Sequence, residues 1–181
     1  MSGQDQLPAE AARLLAEIHV ARGLALRLAE PRAATGSLSV AELWAYARRE
    51  PGEPVSLSVE RALRGDAAVA RRYRTMLASA AVAHAPLAIA ASTGPASVRR
   101  VGEITITIDD SDEEAIPLVI FSNLGERTPQ RIEVLSAEES LRLALPDAVG
   151  GAIVLSADPA IGDMALLLRL LRDSRSEIFL L

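Results

Sequence analysis

Apolar residues in the first part of the chain recur at helical spacing. Between Pro8 and Pro31 they follow alternating steps of three and four, which predicts one amphipathic helix over residues 8–30. Both packing against neighbouring helices and a short coiled coil are compatible with its three heptads. The stripe consists of Ala11, Leu14, Ile18, Ala21, Ala25 and Leu28.

Further helix signals follow a turn at 32–38. Ser39 precedes Glu42 by three residues, the spacing of a capping box, so a helix is expected over about 40–50. A Pro-Gly-Glu-Pro sequence ends it, and Asp66 is suited to cap a later helix. Two more helices are expected at 57–64 and 67–83.

After residue 97 the spacing of apolar residues becomes that of β-strands. The segment 103–109 (EITITID) alternates apolar and polar residues, as a half-buried strand does. Helical spacing returns at 160–172. The pattern favours a small antiparallel sheet with one helix, or a β-sandwich if 164–170 is also a strand. Further strands are expected at 116–122, 131–135, 140–145, 152–156 and 177–181.

A segment rich in small residues, 84–97, separates the two patterns. It contains two prolines and a glycine and is interpreted as a linker, with a short strand considered at 87–90. Residues 1–97 contain 11 Arg and 9 acidic residues, net +2, whereas residues 98–181 contain 8 Arg and 15 acidic residues, net −7. The sequence therefore predicts an α+β protein with a helical module of about four helices at 1–83 and a β-rich module at 98–181.

The composition excludes several kinds of chemistry. The chain has no cysteine and no lysine, which removes disulfides, thiolate metal sites and catalytic lysines. His19 and His84 are isolated from each other, no G-x-S-x-G nucleophile motif occurs, and the acidic segment 109–114 does not match a calcium loop. We therefore expect no enzyme activity, no catalytic residues, no metal and no cofactor.

Location is inferred from what the sequence lacks. The first residues have neither the basic nor the apolar region of a signal peptide. The apolar stretch at 76–91 is too short to span a bilayer. We expect a cytoplasmic protein that does not enter a membrane.

Aromatic residues combined with arginine mark candidate partner-binding positions, because this composition is typical of interface hot spots. Trp44 and Tyr46 are two residues apart, about 200° around a helix, so we expect one of them to pack inward and the other to remain at least partly exposed. A solvated helix face is the alternative interpretation of the arginines. Nucleic acid is disfavoured by the isoelectric point of about 5.1. The candidate residues are Trp44, Tyr46, Arg48, Arg49, Arg71, Arg72 and Tyr73.

The segment 42–80 resembles the anti-sigma domain of bacterial extracytoplasmic-function anti-sigma factors. Its zinc motif is absent here, as in zinc-free members. The resemblance implies helices that wrap a sigma factor and cover its polymerase-binding surfaces. The sequence thus predicts a regulatory protein–protein interaction module whose partner is a protein, such as a sigma factor. The alternative is an accessory subunit, adaptor or protease target in a larger bacterial assembly. The matching positions are Leu43, Ala45, Tyr46, Gly52, Val59, Glu60, Leu63, Asp66, Ala70 and Arg71.

Overall fold

The computed structural model describes residues 38–86, 97–112 and 114–181. Every described residue belongs to one compact unit, Leu38–Leu181. The predicted helix at 8–30 and the short strand considered at 87–90 lie outside the described residues.

Two of the described helices begin at side-chain caps that the sequence predicted. Ser39 and Glu42 form the capping box, with Glu42 N donating to Ser39 Oγ at 3.1 Å and Ser39 N donating to Glu42 Oε2 at 2.8 Å. Asp66 accepts from two backbone amides of the third described helix. The predicted helices between 40 and 83, and the one at 160–172, are confirmed with slightly shifted ends. The described helices are α1 (Val40–Arg48), α2 (Leu57–Gly65), α3 (Ala67–Ala80) and α4 (Gly162–Arg172).

The strands form two antiparallel sheets of four strands each. Sheet 1 has the order β1-β8-β5-β6, and sheet 2 has the order β2-β3-β4-β7. The structure is thus α+β with antiparallel pairing. The strands are β1 (Ala83–Ala85), β2 (Val98–Val101), β3 (Ile104–Asp109), β4 (Leu118–Ser122), β5 (Arg131–Leu135), β6 (Ser140–Ala144), β7 (Ile153–Ser156) and β8 (Glu177–Leu180).

The presence of two sheets differs from both expected arrangements. We expected either one small sheet with a helix, or a sandwich in which 164–170 was a strand, but these residues are helical. Two short strands, β1 and β2, were missed because Ala-His-Ala has only three residues of weak strand propensity and Val-Arg-Arg-Val does not alternate apolar and polar residues. A two-residue turn connects β2 to β3, and Gly102 supplies the positive φ of 60° that this turn requires.

Sheet 1 is covered on both of its faces. Ile132 of β5 and Ile178 of β8 belong to a core that sheet 2 and α4 complete. Leu135 of β5 and Phe179 of β8 belong to a second core, formed with α1, α2 and α3. All four residues of β8 are consequently buried, which is the pattern of a strand with no solvent-facing side.

The expected division into modules at 84–97 is not reproduced at its first residues. His84 and Ala85 belong to β1, which pairs with β8. Because Phe179 packs among the helices, α1–α3 and the two sheets lie within one compact unit. Of the segment interpreted as a linker, His84 and Ala85 lie in an edge strand, since pairing with a buried strand compensates for their weak strand propensity, and residues 87–96 lie outside the described residues.

Candidate functional site

The seven candidate binding residues face two different environments. Tyr46 and Tyr73 point inward against sheet 1 and are 7% and 3% exposed. Their ring centroids are 5.6 Å apart. Arg49 joins them, because its guanidinium carbon lies 3.7 Å from the centroid of the Tyr46 ring. These three residues therefore line an internal contact between helices and sheet.

A buried ion pair from sheet 1 lies opposite these tyrosines. Glu133 of β5 and Arg142 of β6 are cross-strand partners, with side chains 1% and 3% exposed. Arg142 Nε donates to Glu133 Oε2 at 2.8 Å, and Nη2 reaches the same oxygen. Arg142 also donates to the carbonyl oxygens of Ala47 and Arg49, at 3.1 and 2.7 Å. The arginine thereby connects the sheet to the last turn of α1, where carbonyls lack helical partners.

The Tyr73 hydroxyl completes this network. It donates to Glu133 Oε1 at 2.6 Å and accepts from Arg142 Nη2 at 3.2 Å. Burial raises the pKa of Tyr73 far above its usual value, and the nearby Glu133 carboxylate raises it further. Tyr73 consequently remains a neutral donor. A buried carboxylate that accepts from both a tyrosine and an arginine is well paired, so the network fits a structural contact better than a reacting group.

Sequence reasoning did not identify Glu133 or Arg142. Alternation in the segment RIEVL places Glu133 on the same strand face as Leu135, opposite Ile132 and Val134. The sequence signal was a charged residue on the same strand face as a leucine, which indicates that the charge is buried and needs an oppositely charged partner. Its pairing with Arg142 follows from the β5–β6 register, which the short connection between the strands restricts.

Trp44 and Arg48 lie on the outer side of α1 with Val40, at steps of four residues. We name these three residues the α1 surface stripe. Val40 is 51% exposed, Trp44 is half-buried and Arg48 is exposed. The Arg48 guanidinium carbon is 5.1 Å from the Trp44 ring centroid, within cation–π range. This confirms the expectation that one aromatic residue of this helix packs inward and the other remains partly accessible.

Arg71 and Arg72 are exposed on α3. Neither side chain forms a hydrogen bond or ion pair with another described residue. Their neighbour Arg74 is different, since its Nε lies 3.2 Å from Glu177 Oε2 of β8. Arg71 and Arg72 are thus available to a partner, as two charges on one exposed turn.

A pocket of about 130 Å³ opens beside the buried network, between the helices and the β5–β6 turn. Tyr73 and Leu135 contribute to its wall. Arg64 lies 3.6 Å from Glu60, so the two charges at this side of the pocket partly neutralise each other. The lining of the pocket contains both acidic and basic side chains. Its other lining residues include Tyr46, Ala70, Arg74, Glu133 and the segment 136–140.

His84 of β1 is half-buried. Its ring stacks on Phe179, with centroids 4.3 Å apart and ring planes 10° from parallel. Burial lowers its pKa, although the neighbouring Glu177 carboxylate acts in the opposite direction. Within the described ranges, no group of three or more potential ligands could hold a metal ion. His19 lies outside these ranges.

No helix in the described part of the chain is long and apolar enough to cross a membrane. In comparisons with protein-family models, curated proteins and solved structures, no match to this chain was found.

Proposed function

We propose that this chain is a non-catalytic regulatory module that binds another protein in the cytoplasm. The partner contacts the outer side of the helical layer, which consists of α1, α2 and α3. The α1 surface stripe carries this proposal. Val40 is exposed, and Trp44, which packs in part against the core formed by α1–α3 with sheet 1, retains exposed apolar surface. Accessible tryptophan next to arginine is typical of residues that dominate binding free energy.

The charges on the helical layer favour an acidic partner surface. Arg48, Arg71 and Arg72 are all exposed, and guanidinium groups pair bidentately with carboxylates. Leu57 of α2 is 71% exposed and adds apolar surface to the same layer. A groove or helix that offers carboxylates around an apolar centre would complement these features.

A sigma factor is the partner class that the resemblance over 42–80 suggests, and an anti-sigma-like inhibitor is the specific form of the proposal. Leu43 and Tyr46, which contribute to the resemblance, pack against sheet 1. A partner would therefore meet the opposite side of α1, with Trp44, rather than the residues that match the family pattern. An accessory subunit or adaptor would use the same surface with a different partner.

The test is affinity capture with the full-length chain, followed by binding measurements on the protein recovered. Trp44→Ala should weaken binding by about 2 kcal/mol or more if Trp44 is a central anchor. Reversing Arg71 and Arg72 to Glu should slow association and reduce its salt dependence. Thermal melting of each variant separates a loss of binding from a loss of folding.

A matched charge control uses two exposed arginines outside the helical layer. Arg127→Glu with Arg175→Glu changes the net charge as much as the α3 double reversal does. We expect this control to bind almost normally. Equal weakening by both double reversals, or full binding by a folded Trp44→Ala variant, would contradict the proposed surface. A captured sigma factor would support the specific form, and a captured enzyme or protease would support the accessory role.

A further inference from the structure

Strand β7 lies at the edge of sheet 2 and has one strand neighbour, β4, among the described residues. Its sequence, Ile-Val-Leu-Ser, contains no charge and no proline. At the opposite edge of the same sheet, β2 carries two arginines, and Arg100 is exposed. Charged residues on an edge discourage pairing with another chain, so β7 lacks the protection that β2 has.

The register with β4 identifies which backbone groups of β7 point to the free side. Ala157 N donates to the carbonyl oxygen of Pro117, so this facing pair is hydrogen-bonded. Facing pairs alternate between hydrogen-bonded and non-hydrogen-bonded along antiparallel strands. The facing pairs at Ile120 and Leu118 are therefore the non-bonded ones, and their partners Val154 and Ser156 direct N–H and C=O groups away from β4. Neither residue has another backbone partner among the described residues.

We propose that β7 pairs with β7 of a second copy of this chain, antiparallel about a two-fold axis through Leu155. In this register Val154 faces Ser156 of the second copy, and Ser156 faces its Val154. Each is a hydrogen-bonded pair in which both N–H groups find acceptors. The groups left free by β4 are thereby satisfied by an identical edge, in an isologous contact that closes on itself.

The alternative two-fold register, centred on Val154, satisfies fewer groups. It would place Ala152 opposite Ser156 of the second copy. The Ala152 N–H and C=O are already bonded to Val149, at 3.2 and 2.8 Å. Centring on Leu155 uses the two free residues and leaves Ala152 undisturbed.

Side chains at the axis are compatible with this pairing. Leu155 packs against the main core while remaining half-buried, so contact with its copy would remove further apolar surface from water. Val149 already bonds to Ala152 on the free side of β7, so self-pairing is confined to residues 154–156, which carry no charge. No like charges are brought opposite each other, which is a requirement that a self-paired edge must meet.

The experiment is cysteine cross-linking in the full-length chain, which has no cysteine of its own. In the proposed register Leu155 and its copy form a non-hydrogen-bonded pair, with Cα atoms about 4.5 Å apart. That spacing lies within the range that a disulfide bridges. Leu155→Cys should therefore give a disulfide-linked dimer on mild oxidation. Val98→Cys is the control, because Val98 is 54% exposed on β2, at the other edge of the same sheet.

Adding Ser156→Pro to Leu155→Cys should abolish the cross-link, since proline removes an N–H that has no described partner within the chain. Equal cross-linking by Val98→Cys, no dimer from a folded Leu155→Cys variant, or a dimer unaffected by Ser156→Pro would each overturn the proposal. Sedimentation of the unaltered chain gives a test that does not depend on cysteine variants. We expect mass to rise with concentration for the unaltered chain and not for Ser156→Pro. A monomer at every concentration would leave the β7 edge to a different partner and refute self-pairing.

Discussion

Glu133 combines deep burial with a charge in the contact between helices and sheet 1. Its two carboxylate oxygens accept from Tyr73 and Arg142, and Arg142 continues to carbonyl groups at the end of α1. Removing such an ion pair from water costs free energy. The attraction of the two charges offsets this cost only when hydrogen bonds also satisfy their remaining polar atoms. Loss of one member should therefore cost more than the replacement of both.

Glu133→Ala should destabilise the chain by about 3–5 kcal/mol, because Arg142 would remain buried without its carboxylate. Tyr73→Phe should cost about 1–3 kcal/mol, since Glu133 keeps its arginine but loses a donor. Urea unfolding measures both changes. Replacing Glu133 and Arg142 together by Met should cost less than the sum of the single replacements. A loss below about 1 kcal/mol for Glu133→Ala would show that the pair is not intact in solution.

At the scale of elements, local signals define the helices whereas pairing defines the strands. The Ser39–Glu42 capping box and the Asp66 cap depend on residues three or fewer positions apart. Strands β1 and β2 carry little signal of their own, and they form because β8 and β3 offer hydrogen-bonding partners. Removing a capping side chain should therefore lower the free energy of unfolding only moderately.

Asp66→Ala should reduce stability by about 1 kcal/mol, because the amides of Ala68 and Val69 would lose their acceptor. Ser56 provides a matched control. It occupies the cap position of α2 but makes no capping hydrogen bond, so Ser56→Ala should change the free energy of unfolding by less than about 0.5 kcal/mol. Equal effects of the two variants would contradict the assignment of Asp66 as a cap.

At the scale of the whole molecule, sheet 1 holds the helical layer and sheet 2 within one compact unit. Phe179 packs among helical residues on one face, while Ile178 and Leu180 belong to the core on the other. Because both cores share β8, the two fragments produced by cleavage between β1 and β2 should remain in contact.

A protease site inserted within 87–96 should be cleavable without separating the two fragments. The N-terminal fragment would keep α1–α3 and β1, which contact β5 and β8 of the other fragment through the shared core and the β1–β8 ladder. An affinity tag on one fragment should recover both after cleavage. Phe179→Ala should weaken this association, since it leaves a cavity between helices and sheet. Separation of the fragments of the unaltered sequence would instead support two independent modules.

The sequence by itself determined α1–α4, the side-chain caps of α1 and α3, and six of the strands, because apolar spacing and capping act between residues close along the chain. It also placed Tyr46 and Trp44 on opposite sides of one helix. Only the tertiary structure decided that Tyr73 meets Glu133, 60 positions away, and that Arg49 faces inward rather than a partner. It also decided that the strands divide into two sheets and that His84 belongs to one of them. These features depend on which distant strands exchange backbone hydrogen bonds. Residue periodicity along the chain does not indicate which strands pair.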